Sequence, residues 1–180
     1  MIKGYVTYEE LECIVNAKLK EIGITDKDYP LNPYQLIINE GIELYEVGYD
    51  NANIRGFIVY GNNVTGISIN KNRSFASKKF IAMHELCHHW FHPHEHRMIC
   101  LDNYIDSNKG MEWQANNAAS IALVPRHLLL KYSFIYCGDI ELLAQFFGVS
   151  KSCIEYRLDK HSEISSSVKS FLISCRIGGE

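Results

Sequence analysis

Met83-His84-Glu85-Leu86-Cys87-His88 sets two histidines four residues apart, with a glutamate directly after the first. The stretch lies within residues 77–91, where apolar side chains recur at helical spacing until Pro93 ends the run. On an α-helix, positions i and i+4 project from one face a turn apart, so His84 and His88 can reach a single ion. Glu85 sits beside the first ligand. There its carboxylate can approach a water activated by the metal and act as general base. Two imidazoles leave the site incomplete. Glu112 follows His88 by 24 residues, at the start of a helix expected over 111–123 and ended by Pro125. Its carboxylate would complete a set of two histidines and one glutamate around one Zn2+ ion, with the fourth position open as in catalytic zinc sites. Asn116 lies one turn further on. Its side-chain oxygen is expected to accept a hydrogen bond from the free N–H of a ligand histidine and so orient the ring. Tyr104 and His127 both stand as candidates for a donor to the oxyanion.

Upstream, Thr7 and Glu10 form a capping box for a helix over about 8–22, with Leu11, Ile14, Ala17 or Lys18, and Ile22 as its apolar stripe. Gly23 ends it. Asn32-Pro33 reads as an N-cap followed by a first-turn proline, opening a short helix that stops near Gly41. Three strands are expected at 42–47, 56–60 and 64–70, the last two joined through Gly61-Asn62-Asn63 as a hairpin. Residues 94–110 read as a loop. Residues 126–172 read as helices broken at Gly138 and at Gly148-Val149-Ser150. The expected fold is α+β: one small domain over 1–180, with a short antiparallel sheet of about three strands packed on helices and a helical C-terminal segment.

Composition narrows the function classes. The 180 residues are 47% hydrophobic and 22% charged, ordinary for a folded domain that can bury a core without disulfides. A net charge of −3 lacks the basic excess of a nucleic-acid binder or a polybasic membrane anchor. No run approaches the roughly 20 apolar residues of a membrane helix, and the N-terminus has no signal-peptide pattern. The six cysteines, at 13, 87, 100, 137, 153 and 175, form no Cys-x-x-Cys pair. A cytoplasmic protein with reduced, mostly buried thiols is expected.

Other features carry weaker signals. His89, His92, His94 and His96 read as surface histidines at a helix end, and Cys87 as core. Residues 143–158 have the spacing of a helix-turn-helix, with a small residue at Ala144, a turn at Gly148 and a core position at Ile154. Residues 131–180 hold six basic and six acidic side chains, so packing or partner docking is favoured there over DNA contact. The strand 64–70 reads either as plain core or as an edge to which an extended substrate adds, the second being favoured.

Phe80 to His88, then Glu112-Trp113-Gln114-Ala115-Asn116, then Pro125, resemble the ImmA/IrrE family of metallopeptidases. That family shows a "HELGH" helix, an "E-x-x-A-N-x-x-A" helix and an "LLMP" segment. Its preceding "I-x-I-N" strand is matched by Ile67-Ser68-Ile69-Asn70, and its "L-A-x-x-F-x-V-S" run by Leu143-Ala144, Phe147 and Val149-Ser150. The resemblance covers about residues 30–160. It implies a compact gluzincin-like zinc endopeptidase with ligands His84, His88 and Glu112, acting on a helix-turn-helix repressor of a phage or mobile element. Cys87 stands where the family has glycine, and Ala122-Leu123-Val124-Pro125 replaces "LLMP". The sensory domain of longer relatives is not expected. The competing expectation is a non-catalytic regulator that binds a repressor through its helical C-terminus, with zinc serving structure alone.

Overall fold

The computed structural model describes residues 2, 4–61, 64–92, 98–101 and 109–177. Helix α1, Tyr8–Glu21, opens on the Thr7–Glu10 capping box, the Glu10 amide donating to Thr7 Oγ1 at 3.2 Å and the Thr7 amide to Glu10 Oε2 at 2.8 Å. Its buried stripe is Leu11, Val15 and Leu19. These are successive i+4 positions, so the core face is rotated slightly from the Leu11–Ile14–Ile22 stripe expected. Helix α2, Pro33–Asn39, is capped by Asn32.

The sheet comprises β1 (Glu43–Val47), β2 (Ile54–Tyr60), β3 (Thr65–Asn70) and β4 (Met98–Leu101), in the order β1-β3-β2-β4. The α+β class is as expected, but the sheet is mixed and four-stranded: β1 runs parallel to β3, while β2 is antiparallel to β3 and to β4. The chain leaves β1 and returns through β2 before entering β3, so β3 is inserted between its two predecessors. Both edges of β3 are therefore paired, and it has no free edge for a substrate strand. Strand β4 falls in the stretch expected to be loop; its outer position in the sheet needs only four residues, too few for a strand pattern to stand out.

Helix α3, Phe75–Phe91, is capped by Ser74 and lies across β2 and β3, with α2 and α4 (Lys109–Leu123) on its other sides. Every residue from Ile81 to His88 is buried, as a helix covered on all sides requires. Cys87 is fully buried, and burial raises its thiol pKa well above the ordinary value. It is core, as its position predicted. Gly56 in β2 lets α3 come close: a Cβ there would lie 2.6 Å from Ile81 Cγ2 and 2.8 Å from the Ser68 carbonyl oxygen.

Four more helices follow: α5 (Arg126–Ile135), α6 (Ile140–Phe147), α7 (Lys151–Lys160) and α8 (Ser162–Ile177). Gly138 and Gly148 take left-handed conformations at φ 75° and 64°, which explains glycine at both breaks. Two buried cations bind this segment to the rest. Lys79 of α3 donates through Nζ to the Phe147 carbonyl at the end of α6, at 2.6 Å. Arg157 of α7, wholly buried, donates through Nε to the Val124 carbonyl at 2.9 Å and through a terminal nitrogen to Glu12 of α1 at 2.8 Å. It also bonds the Tyr8 hydroxyl. Among the described residues no helix is long and apolar enough to cross a membrane.

Candidate metal centre

His84 and His88 face the first turn of α4, from which Glu112 reaches back. His84 Nε2 and His88 Nε2 are 3.1 Å apart, His84 Nε2 is 3.3 Å from Glu112 Oε2, and His88 Nε2 is 3.2 Å from Glu112 Oε1. Each ring nitrogen thus meets a different oxygen of Glu112, at separations close to the about 3.3–3.4 Å between donors of tetrahedral zinc, and the three side chains form a group that could hold a metal ion. Burial would raise the Glu112 carboxyl, but its contacts with the two rings outweigh that and hold it below the ordinary carboxylate range. Burial, more than any other cause, lowers the His88 pKa. An anionic Glu112 oxygen and a neutral His88 nitrogen are the protonation states that coordinate metals.

The partner that orients His88 differs from the one expected. His88 Nδ1 meets His92 Nδ1 at 2.8 Å, and His92 Nε2 meets Gln114 Oε1 at 3.0 Å. Gln114 Nε2 in turn donates to the Gly4 carbonyl at 3.0 Å. That last bond fixes the amide, so Gln114 Oε1 must accept a hydrogen bond from His92 Nε2–H. Neutral His92 then has a lone pair at Nδ1, which accepts from His88 Nδ1–H. The His88 Nε2 lone pair is left facing the metal position. Burial, more than any other cause, lowers the His92 pKa to about 4, consistent with its neutral form.

His92 is thus a buried member of the site and not a surface histidine. It continues the i, i+4 series from His84 through His88, which was the signal available in the sequence. His89 is half-buried with its ring stacked on Tyr60, centroids 6.0 Å apart. His94 and His96 lie outside the described residues. The role expected of Asn116 needs the same correction: its side chain is exposed and lines an adjoining cavity, while His88 Nδ1 meets His92. The residue two places after Glu112, Gln114, points instead toward the rings' outer side. His84 Nδ1 is buried and has no hydrogen-bond partner among the described residues. Of the two candidate oxyanion donors, Tyr104 lies outside the described residues. His127 is exposed and pairs with Asp26 at 2.8 Å, beyond the far end of α4 and more than about 15 Å along its axis from Glu112.

Glu85 projects from α3 toward β2, where a Cβ on Gly56 would lie 3.7 Å from its Oε1. It is fully buried, and neither carboxylate oxygen has a hydrogen-bond partner among the described residues. Burial and then the charge of Glu112 raise its pKa well above the ordinary value. The Arg55 charge opposes this, as does the nearby Ile58 amide, which does not reach hydrogen-bonding geometry. A buried carboxylate left without hydrogen bonds beside a metal-ligand triangle is costly for folding and suited to taking a proton. A cavity of about 500 Å³ opens between α3, α4 and the start of α7, and neither Glu85 nor the three candidate ligands are among the residues that line it. Phe80, one turn before His84, and Asn116, one turn after Glu112, both line it.

Residues 39–159 match the peptidase family described as the IrrE N-terminal-like domain. The chain belongs to that family. The match spans all of the sheet, the metal triangle and α3 to α7, apart from the last residue of α7, and leaves α1 and α8 outside. The family is one of metallopeptidases, and His84, His88 and Glu112 are the group that could hold its metal here. Among solved structures, a "Mycobacterium tuberculosis transcriptional regulator" aligns with a TM-score of 0.59 at 16% identity, covering 86% of this chain and 47% of that one. This chain therefore spans about half the length of that relative, and the likeness shows a shared fold. No curated protein sequence matches the chain.

Proposed function

We propose that the protein is a cytoplasmic zinc-dependent endopeptidase whose substrate is a helix-turn-helix repressor of a phage or mobile element. The observation that carries the reading is Glu85: a buried carboxylate without hydrogen-bond partners among the described residues, one residue from a ligand of a site to which the described residues bring three donors. A zinc ion held by His84, His88 and Glu112 supplies Lewis-acid activation of water and of the scissile carbonyl. Glu85 accepts the proton of the attacking water and passes it to the leaving amine, for which its raised affinity for protons suits it. His92 and Gln114 hold His88 in the tautomer that leaves Nε2 free.

A structural metal site has four protein ligands and needs no base, which argues against the purely regulatory alternative. That alternative draws its support from the Mycobacterium tuberculosis protein of like fold, which is a transcriptional regulator by name. The deciding experiment incubates zinc-loaded protein with a helix-turn-helix repressor encoded beside its gene. Cleavage by wild type, with binding but no cleavage by Glu85→Gln, is the expected result. Repressor binding without cleavage by either protein would establish the regulator instead.

A further inference from the structure

We propose that a second cavity, enclosed by α5, α6, α7 and α8, binds a small uncharged aromatic molecule of one or two rings that carries a hydroxyl or ring N–H, with Ser133 as its hydrogen-bonding anchor. Neither Glu85 nor any of the three candidate metal ligands lines this cavity, so its occupancy is independent of the metal centre.

The anchor is the first observation. Ser133 of α5 is 1% exposed, lines the cavity, and has no hydrogen-bond partner for Oγ among the described residues. A serine inside a helix can bond a carbonyl of the preceding turn. Ser166 and Ser167 of α8 do so, donating to the Ser162 and Glu163 carbonyls at 3.2 and 2.8 Å, and Ser120 of α4 donates to the Asn117 carbonyl at 2.8 Å. Ser133 makes no such bond. A buried hydroxyl without a partner is unfavourable, and a ligand group that pairs with it relieves that penalty on binding.

Size and lining are the second. Ile140, Leu158, Ile164 and Val168 supply apolar walls from three helices, and Gly138 brings no side chain to the space. The volume is about 260 Å³. An apolar cavity of about 150 Å³ takes benzene, and drug-sized sites begin at about 300 Å³, so one or two fused rings suit this one. A water molecule takes up about 30 Å³ in the liquid, so one that satisfied Ser133 would leave most of the space unfilled.

Charge is the third. Among the described residues lining the cavity, Lys169 is the one charged side chain, and it is exposed at the rim. The buried part of the cavity therefore offers an ionised ligand no charged partner, and an ion placed there would be penalised heavily. The Ser133 hydroxyl can both donate and accept, so it satisfies a phenolic O–H or an indole-type N–H.

The test titrates full-length protein with indole and with indene, which has nearly the same shape and lacks the N–H, and follows backbone amide shifts by NMR. Indole should shift the amides of Ser133, Gly138 and Ser165 and bind about 3- to 10-fold tighter than indene, the gain expected of one hydrogen bond. Ser133→Ala should leave indene binding unchanged and bring indole down to the same affinity. Val168→Phe, which fills the space, should abolish binding of both. No shift at these amides with indole at millimolar concentration would overturn the site. So would shifts confined to α3 and α4, which would place indole in the cavity lined by Phe80 and Asn116. Equal affinities of the wild-type protein for indole and indene would overturn Ser133 as the anchor and the proposal with it. Should Val168→Phe fail to fold, the wild-type ratio and its loss in Ser133→Ala decide the matter.

Discussion

Replacing His92 with Phe would test whether the site depends on the chain that runs from the Gly4 carbonyl through Gln114 and His92 to His88. Phenylalanine fills the imidazole's space and removes both ring nitrogens. His88 Nδ1–H then faces a buried position without its acceptor, which lay 2.8 Å away. An unsatisfied buried donor costs about 1–3 kcal/mol. His88 can escape that penalty by moving its proton to Nε2, but this removes the lone pair directed at the triangle. Both routes disfavour the ligating form by a similar amount, so zinc affinity should fall roughly 10- to 100-fold. Competition against a chromogenic chelator at fixed pH measures this directly, with circular dichroism confirming the fold. Asn116→Ala serves as control: an exposed side chain without a contact to either ring should change affinity by no more than about twofold. A folded His92→Phe protein that binds zinc as tightly as wild type would refute the tautomer argument. A large loss in Asn116→Ala would restore the orienting role to that residue.

Glu85→Gln should retain full zinc content and melt at the same or a higher temperature, because it removes a buried acid that has no hydrogen bonds among the described residues, while hydrolysis falls by roughly 10²- to 10⁴-fold; a lowered zinc stoichiometry would contradict the assignment. Gly56→Ala should lose about 1–3 kcal/mol in denaturant unfolding, since its methyl would meet Ile81 and the Ser68 carbonyl at under 3 Å, and an unchanged midpoint would show that α3 and β2 can part without cost. Arg157→Met should destabilise by about 3–5 kcal/mol, because it breaks the buried pair with Glu12 and strands the Val124 carbonyl, and a loss under about 1 kcal/mol would argue that the network is dispensable.

The legible parts of this protein are those governed by local rules. The capping box at Thr7, the Asn32-Pro33 start and the glycines at 138 and 148 are signals that the backbone reads within one turn, and each marks an element where expected. The triangle is legible for a related reason: His84 and His88 are linked by helix geometry alone. Glu112 requires only that the next helix pack against the first. The parts not legible depend on long-range arrangement. Nothing local distinguishes a three-strand antiparallel meander from a sheet in which β3 enters between β1 and β2, because the same hairpin joins β2 to β3 in both. Asn116 is a case of this kind. It does lie one turn after Glu112, but which face of α4 turns toward the histidines depends on the rotation of α4 about its axis, and that is set by packing against α1 and α3. His92 is obscured by its neighbours, since a local run of histidines with a proline among them resembles an exposed helix end. The i, i+4 rule applied once more from His88 finds it.

The helical C-terminal segment, expected to favour partner docking, is also a structural part of the metal domain. Lys79 leaves the N-terminal half of the metal helix to cap α6 at Phe147, and Gly148 follows in the left-handed conformation at φ 64°. Arg157 fills the space between α1 and the end of α4, and Tyr156 bonds Asn117 on α4, beside the cavity. Truncation from about residue 139 onward would leave Lys79 buried without its carbonyl partner and Glu12 without its cation, and would remove one wall of the cavity between α3, α4 and α7. A loss of cleavage after such a deletion would therefore say nothing about docking. The question belongs to substitutions on the outward faces of these helices, such as Leu142 and Ile135, which are exposed and make no part of the network just described. A docking role predicts that Leu142→Ser and Ile135→Ser weaken repressor binding with zinc affinity and melting temperature intact, and repressor titrations that match wild type for both variants would remove these faces from consideration.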